Sequence, residues 1–82
     1  MSYRIYIEKP ARKFIQKQSY EQQKRILLAL SRLPDQGDIS PMKGKENQFR
    51  LRIGEYRAVY TLDAGILTVT VMKIGPRGDI NQ

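Results

Sequence analysis

Cysteine is absent from the 82 residues, and so is histidine. Without cysteine there are no disulfides, no thiolate nucleophile and no cysteine-ligated zinc, a composition suited to a reducing compartment. Without histidine the chain lacks the commonest acid–base group near neutral pH and the commonest metal ligand. No apolar run approaches the ~18 residues needed to span a bilayer, and residues 1–9 alternate polar and apolar where a signal peptide would carry an apolar core. The expectation is a cytoplasmic protein with no membrane partner, metal or cofactor. Acidic residues are scarce too. Eight Asp and Glu face fifteen Lys and Arg, a net charge of +7, and the resulting field concentrates polyanions such as nucleic acid or acidic protein segments.

The length predicts one domain, residues 1–82, resting on a small core drawn from the 40% of hydrophobic residues. Tyr3, Ile5 and Ile7 alternate with Arg4, Tyr6 and Glu8, the period of a strand with one buried face. Pro10 suits the first turn of a helix, and Ala11, Phe14 and Ile15 continue at helical spacing over residues 9–17. Ser19 and Gln22 have the spacing of a capping box. Ile26, Leu27, Leu30 and Leu33 then form one apolar stripe that Pro34 terminates.

Residues 35–47 lose this periodicity and read as a connecting loop. Phe49, Leu51 and Ile53 alternate with Arg50 and Arg52, Gly54-Glu55 turns the chain, and Tyr56, Ala58, Tyr60 and Leu62 alternate with Arg57, Val59 and Thr61. Asp63-Ala64-Gly65 makes a second hairpin into Leu67, Val69 and Val71. The predicted order is βααβββ, an α+β domain with two N-terminal helices packed on one face of an antiparallel sheet. Tyr3, Tyr6 and Tyr20 read as half-buried packing residues, and Tyr56 and Tyr60 as core. Asp35 and Asp38 are too few for a calcium site.

Charge is concentrated at one place. Lys43, Lys45, Arg50, Arg52 and Arg57 fall within fifteen residues whose acids are Glu46 and Glu55. Arg50 and Arg52 share a strand face, the hairpin carries Arg57 beside them, and Arg77 follows the Gly75-Pro76 bend, so several planar donors are expected to converge on a phosphate-sized anion. The alternative is an ordinary solvated sheet face.

The run Phe49-Arg50-Leu51-Arg52-Ile53-Gly54-Glu55-Tyr56-Arg57-Ala58-Val59-Tyr60, preceded by Met42-Lys43-Gly44 and followed by Ile74-Gly75-Pro76-Arg77, resembles the RelE/ParE toxin superfamily over essentially the whole chain. The resemblance implies a RelE-like fold and a type II toxin that forms a hetero-oligomer with a cognate, RelB-like antitoxin. In the RelE branch the activity is metal-independent, ribosome-dependent cleavage of mRNA in the A site; in the ParE branch the target is DNA gyrase. Arg57 and Arg77 match arginines used in mRNA cleavage, and Arg50 matches a position where a basic residue contacts substrate. Lys43, Lys45 and Arg52 are then expected to bind the RNA backbone. Asn81 stands where RelE members often carry a catalytic Tyr, which leaves Glu55, Glu46, Asp79 or a lysine as candidates for proton transfer. The first expectation is an endoribonuclease that inhibits translation; the alternatives are a gyrase inhibitor and a non-catalytic RNA-binding toxin.

Overall fold

A computed structural model describes residues 3–76. Arg77, Asp79 and Asn81 therefore lie outside the described residues. The chain runs through strand β1 (Arg4–Ile7), helices α1 (Lys9–Gln16) and α2 (Tyr20–Ser31), and strands β2 (Asp38–Pro41), β3 (Gln48–Ile53), β4 (Tyr56–Asp63) and β5 (Thr68–Pro76). The strands form one sheet in the order β1-β5-β4-β3-β2. Both helices pack on one face, α1 over β5 and α2 reaching β3. No described helix is long and apolar enough to cross a membrane.

Each helix starts where its local chemistry predicts. Pro10 occupies the first turn of α1, where a missing N–H costs nothing, and the Ser19 hydroxyl accepts from the Gln22 backbone N–H at 3.3 Å to cap α2. Ala11 and Ile15 from α1, and Ile26, Leu30 and Leu33 from α2 and its exit, bury against Leu51, Ile53, Ala58, Tyr60, Val69, Val71 and Ile74 of the sheet. Leu27 departs from the expected stripe and is exposed, as is its neighbour Leu28.

The sheet differs from the predicted one in two ways. β1 joins it and pairs parallel with β5, Ile5 beside Val69 and Ile7 beside Val71, so the sheet is mixed. Residues 38–41, read as loop, form a short edge strand against β3. Gly37 makes this possible. Its φ of +134° leads the chain into β2 so close over Leu51 that a Cβ would lie 2.6 Å from a Leu51 methyl, and Pro41, which has no N–H to offer a ladder, is tolerated at a sheet edge.

β5 also contains a bulge. Val59 pairs with Lys73 but the next residue, Tyr60, pairs with Val71, leaving Met72 as an extra residue. The bulge shifts the phase of the strand, so Val69, Val71 and Ile74 all face the helices while Lys73 is exposed.

The tyrosines divide. Tyr60 is 1% exposed and stacks on Phe49 with centroids 5.5 Å apart. Tyr56 meets Phe14 edge-on and its hydroxyl donates to the Gln18 side-chain carbonyl at 3.2 Å. Tyr6 and Tyr20, expected to be half-buried, are 55% and 75% exposed. Tyr6 falls on the sheet face away from the helices, and Tyr20 opens α2, where Lys24 covers its ring.

Burial raises the Tyr60 hydroxyl above its usual value of 10.0, because desolvation disfavours the phenolate. As pH rises the unfolded chain ionises first. The stability contributed by this group is complete below about pH 10 and is lost as pH climbs towards the folded-state pKa. In urea unfolding between about pH 8 and pH 11, wild type is expected to lose more stability above pH 10 than Tyr60→Phe. Equal losses would contradict this assignment.

Candidate nucleic-acid interface

Alternation in β3 and β4 sends one set of side chains to the helices and the other to the opposite face. Arg50, Arg52, Arg57 and Val59 belong to the second set. The register places Arg52 directly opposite Arg57, and Arg50 directly opposite Val59. Directly opposed side chains on one sheet face have Cβ atoms about 5 Å apart, and diagonal neighbours about 7–8 Å. Arg57 therefore adjoins Arg52 and lies diagonal to Arg50. Beyond Arg57, on β5, the opposing residue is Gly75, which adds no side chain to obstruct the approach. β5 ends with Pro76 opposite Tyr56, at the Arg57 end of β4.

The three arginines have different environments. Arg52 is exposed and its Nε lies 3.6 Å from Asp38 Oδ2, with side chains 54% and 68% exposed. An ion pair this exposed contributes about 0–1 kcal/mol, but it draws Arg52 towards the β2 edge. Arg50 and Arg57 are half-buried, and the Arg50 Nε is withdrawn from solvent. Val59, between Arg50 and Lys73 in the register, is 2% exposed yet takes no part in the core under the helices. It floors the cationic face.

Lys43 and Lys45 are placed elsewhere. They lie in the turn after β2, where Met42 donates to Gln48 and Lys45 to Met42. That turn is at the Gln48 end of β3, about 13 Å of strand from the Arg52–Arg57 pair, with Arg50 between. Glu46 shares this distant end, whereas Glu55 is in the β3–β4 turn, two residues from Arg57. Among the described residues no three acidic side chains gather as a metal site. One residue on the face escaped sequence reasoning. Strict alternation after Val69 and Val71 would send Lys73 into the core; the three-residue step from Val71 to Ile74 was the available signal for the bulge that turns it out.

The helical side of the molecule carries a partly apolar hollow. Ile7, Arg12, Ile15, Gln16, Gln23 and Leu27 line a hollow of about 270 Å³ beside α1 and α2, and Leu27 and Leu28 are exposed next to it.

A model of the ParE toxin family of type II toxin–antitoxin systems matches residues 5–81. The chain belongs to that family. Solved structures of RelE toxins share its fold. The archaeal RelE–RelB complex from Pyrococcus horikoshii contains a chain 24% identical, with a TM-score of 0.77 over 96% of this chain and 99% of that one. The toxin–antitoxin complex RelBE2 of Mycobacterium tuberculosis gives 24% identity and 0.77, over 94% and 100%. The isolated Escherichia coli RelE toxin gives 21% and 0.70, over 92% and 84%. No curated protein sequence matches the chain.

Proposed function

We propose that this type II toxin is a ribosome-dependent mRNA endonuclease. The observation that carries the reading is the cationic face opposite the helices, where Arg57 lies beside Arg52 and diagonal to Arg50. Cleavage proceeds by attack of a ribose 2′-oxygen on the adjacent phosphorus, in line with the departing 5′-oxygen. It leaves a 2′,3′-cyclic phosphate and a 5′-hydroxyl, and needs no metal. Negative charge builds on the non-bridging oxygens as the phosphorane forms. A guanidinium held in place for that charge contributes about 3–4 kcal/mol. Arg57 and Arg77 are assigned this role, with Arg50 holding the same nucleotide and Arg52, Lys43 and Lys45 following the flanking backbone without reading bases. Two requirements remain: the ribosome fixes the message in the attack geometry, and one of Glu55, Glu46, Asp79 or a lysine takes the proton from the 2′-hydroxyl and returns one to the departing 5′-oxygen.

The partner is a cognate antitoxin. Related toxins were solved with RelB antitoxins, and here the hollow beside α1 and α2, with exposed Leu27 and Leu28, suits the apolar side of an acidic segment that folds on binding. The family match itself favours a second reading, inhibition of DNA gyrase, because it is to ParE toxins. Primer-extension mapping of a defined message in a translating extract, beside a gyrase supercoiling assay, separates the two. Codon-phased cuts that disappear when ribosomes are removed support the endonuclease. Blocked supercoiling with an intact message establishes the gyrase inhibitor instead.

A further inference from the structure

The phase shift in β5 has a specific product. Because Met72 is the extra residue, Ile74 turns to the helices and Lys73 turns to the arginine face. The backbone spends one unpaired residue at this bulge, and what it delivers is a cation. Lys73 opposes Val59, which opposes Arg50 on its other side. Lys73 and Arg50 thus stand two strands apart, about 9–10 Å between backbones, with Arg57 diagonal to both. The three cations frame Val59.

One acid stands beside β5 here: Glu8, just after β1, donates its backbone N–H to the Val71 carbonyl at 2.9 Å, and no ion pair joins it to Lys73. On β4 and β5 the positions around it on the same face are the neutral Val59, Thr61, Thr70 and Gly75, with Arg57 diagonal, and among the described residues Lys73 has no ion-pair partner. Like charges close together on a sheet face repel, and an anion received between Lys73 and Arg57 would relieve that repulsion. Lysine also differs from its neighbours in what it accepts. A guanidinium fork sets the orientation of a phosphate, whereas an ammonium on a flexible stem follows a phosphate whose orientation is set elsewhere.

We infer that Lys73 is a further RNA-binding residue of this site, holding a backbone phosphate next to the one at Arg57. The inference rests on the endonuclease reading for the identity of its ligand, but its test does not require cleavage. The probe is a short 2′-O-methyl oligoribonucleotide, which has no free 2′-hydroxyl to attack, titrated at several salt concentrations against wild type, Lys73→Gln, Lys73→Arg and, as a control on the helical side, Lys24→Gln.

Loss of one phosphate contact lowers the slope of log affinity against log salt by about 0.7 for a single strand. Lys73→Gln is expected to show that decrease together with about fivefold weaker binding at low salt, Lys73→Arg to restore both, and Lys24→Gln to match wild type. A Lys73→Gln slope equal to that of wild type, or a decrease shared by Lys24→Gln, overturns the inference, as does a wild type that fails to bind the oligonucleotide. In the translating extract the same substitution is expected to raise KM with little change in kcat, since it removes binding common to ground and transition states. An extract in which wild type makes no cuts refutes the endonuclease reading, while the salt slopes still decide Lys73.

Discussion

Arg57→Ala is expected to reduce mRNA cleavage by about 100- to 1,000-fold, the scale for deleting one preorganised donor to developing charge, without unfolding the protein. Arg57 is half-buried near the start of β4, where the strand pairs with both β3 and β5, so its backbone position does not depend on its own side chain. Arg52 directly opposes it, and removing one of two opposed like charges relieves their repulsion. Arg57→Lys retains the charge but not the planar fork, and its activity is expected to fall between the two. Arg52→Ala is expected to have a far smaller effect, because Asp38 already engages that guanidinium. Rates of primer-extension product formation, with thermal melts of each variant, check the series. Equal losses at Arg52 and Arg57 would indicate a diffuse basic surface and not a catalytic position.

Tyr60→Ala is expected to destabilise the fold by about 3–5 kcal/mol, the usual cost of truncating a large core aromatic. A domain of this length has about 4–12 kcal/mol in total. The substitution therefore removes a large share of the whole, and the variant is expected to unfold in urea far below the wild-type midpoint. Tyr60 is among the largest fully buried side chains, and it lies in a central strand between β3 and β5. Truncation would leave Phe49 without its stacking partner and open a void against the helices. Leu28→Ala, at a position 55% exposed, is expected to change stability by no more than about 0.5 kcal/mol. Similar urea midpoints for the two variants would contradict the packing described for the sheet.

The strands bearing the arginines were legible because each has one buried face and a strong turn between them. Phe49, Leu51 and Ile53 against Arg50 and Arg52 leave little freedom in register, since a one-residue slip would bury both arginines. Gly54, at φ +60°, is the residue type that such a turn favours. The motif around Gly54-Glu55-Tyr56-Arg57 carried the superfamily resemblance, and the family match confirms it. β2 was not legible. Ile39 is the only strongly apolar residue between Asp38 and Pro41, and an edge strand held mainly by backbone pairing leaves no periodic trace. Nor does alternation in β1 say which strand it joins or in which direction, so its parallel pairing with β5 emerges only from tertiary packing. Lys73 was missed for a different reason: one bulge inverts every later position in a strand. Leu27 looked like core because helical spacing gives the width of an apolar stripe but not how much of it the sheet covers.

The account stands on the sheet face opposite the helices being where RNA binds. Titrating ¹⁵N-labelled protein with the 2′-O-methyl oligoribonucleotide and following amide shifts tests this residue by residue. The account predicts saturable shifts at Arg50, Arg57, Val59 and Lys73, with Leu27 and Leu28 unmoved. Shifts confined to α1 and α2, with the β3–β5 face silent at saturation, would contradict it.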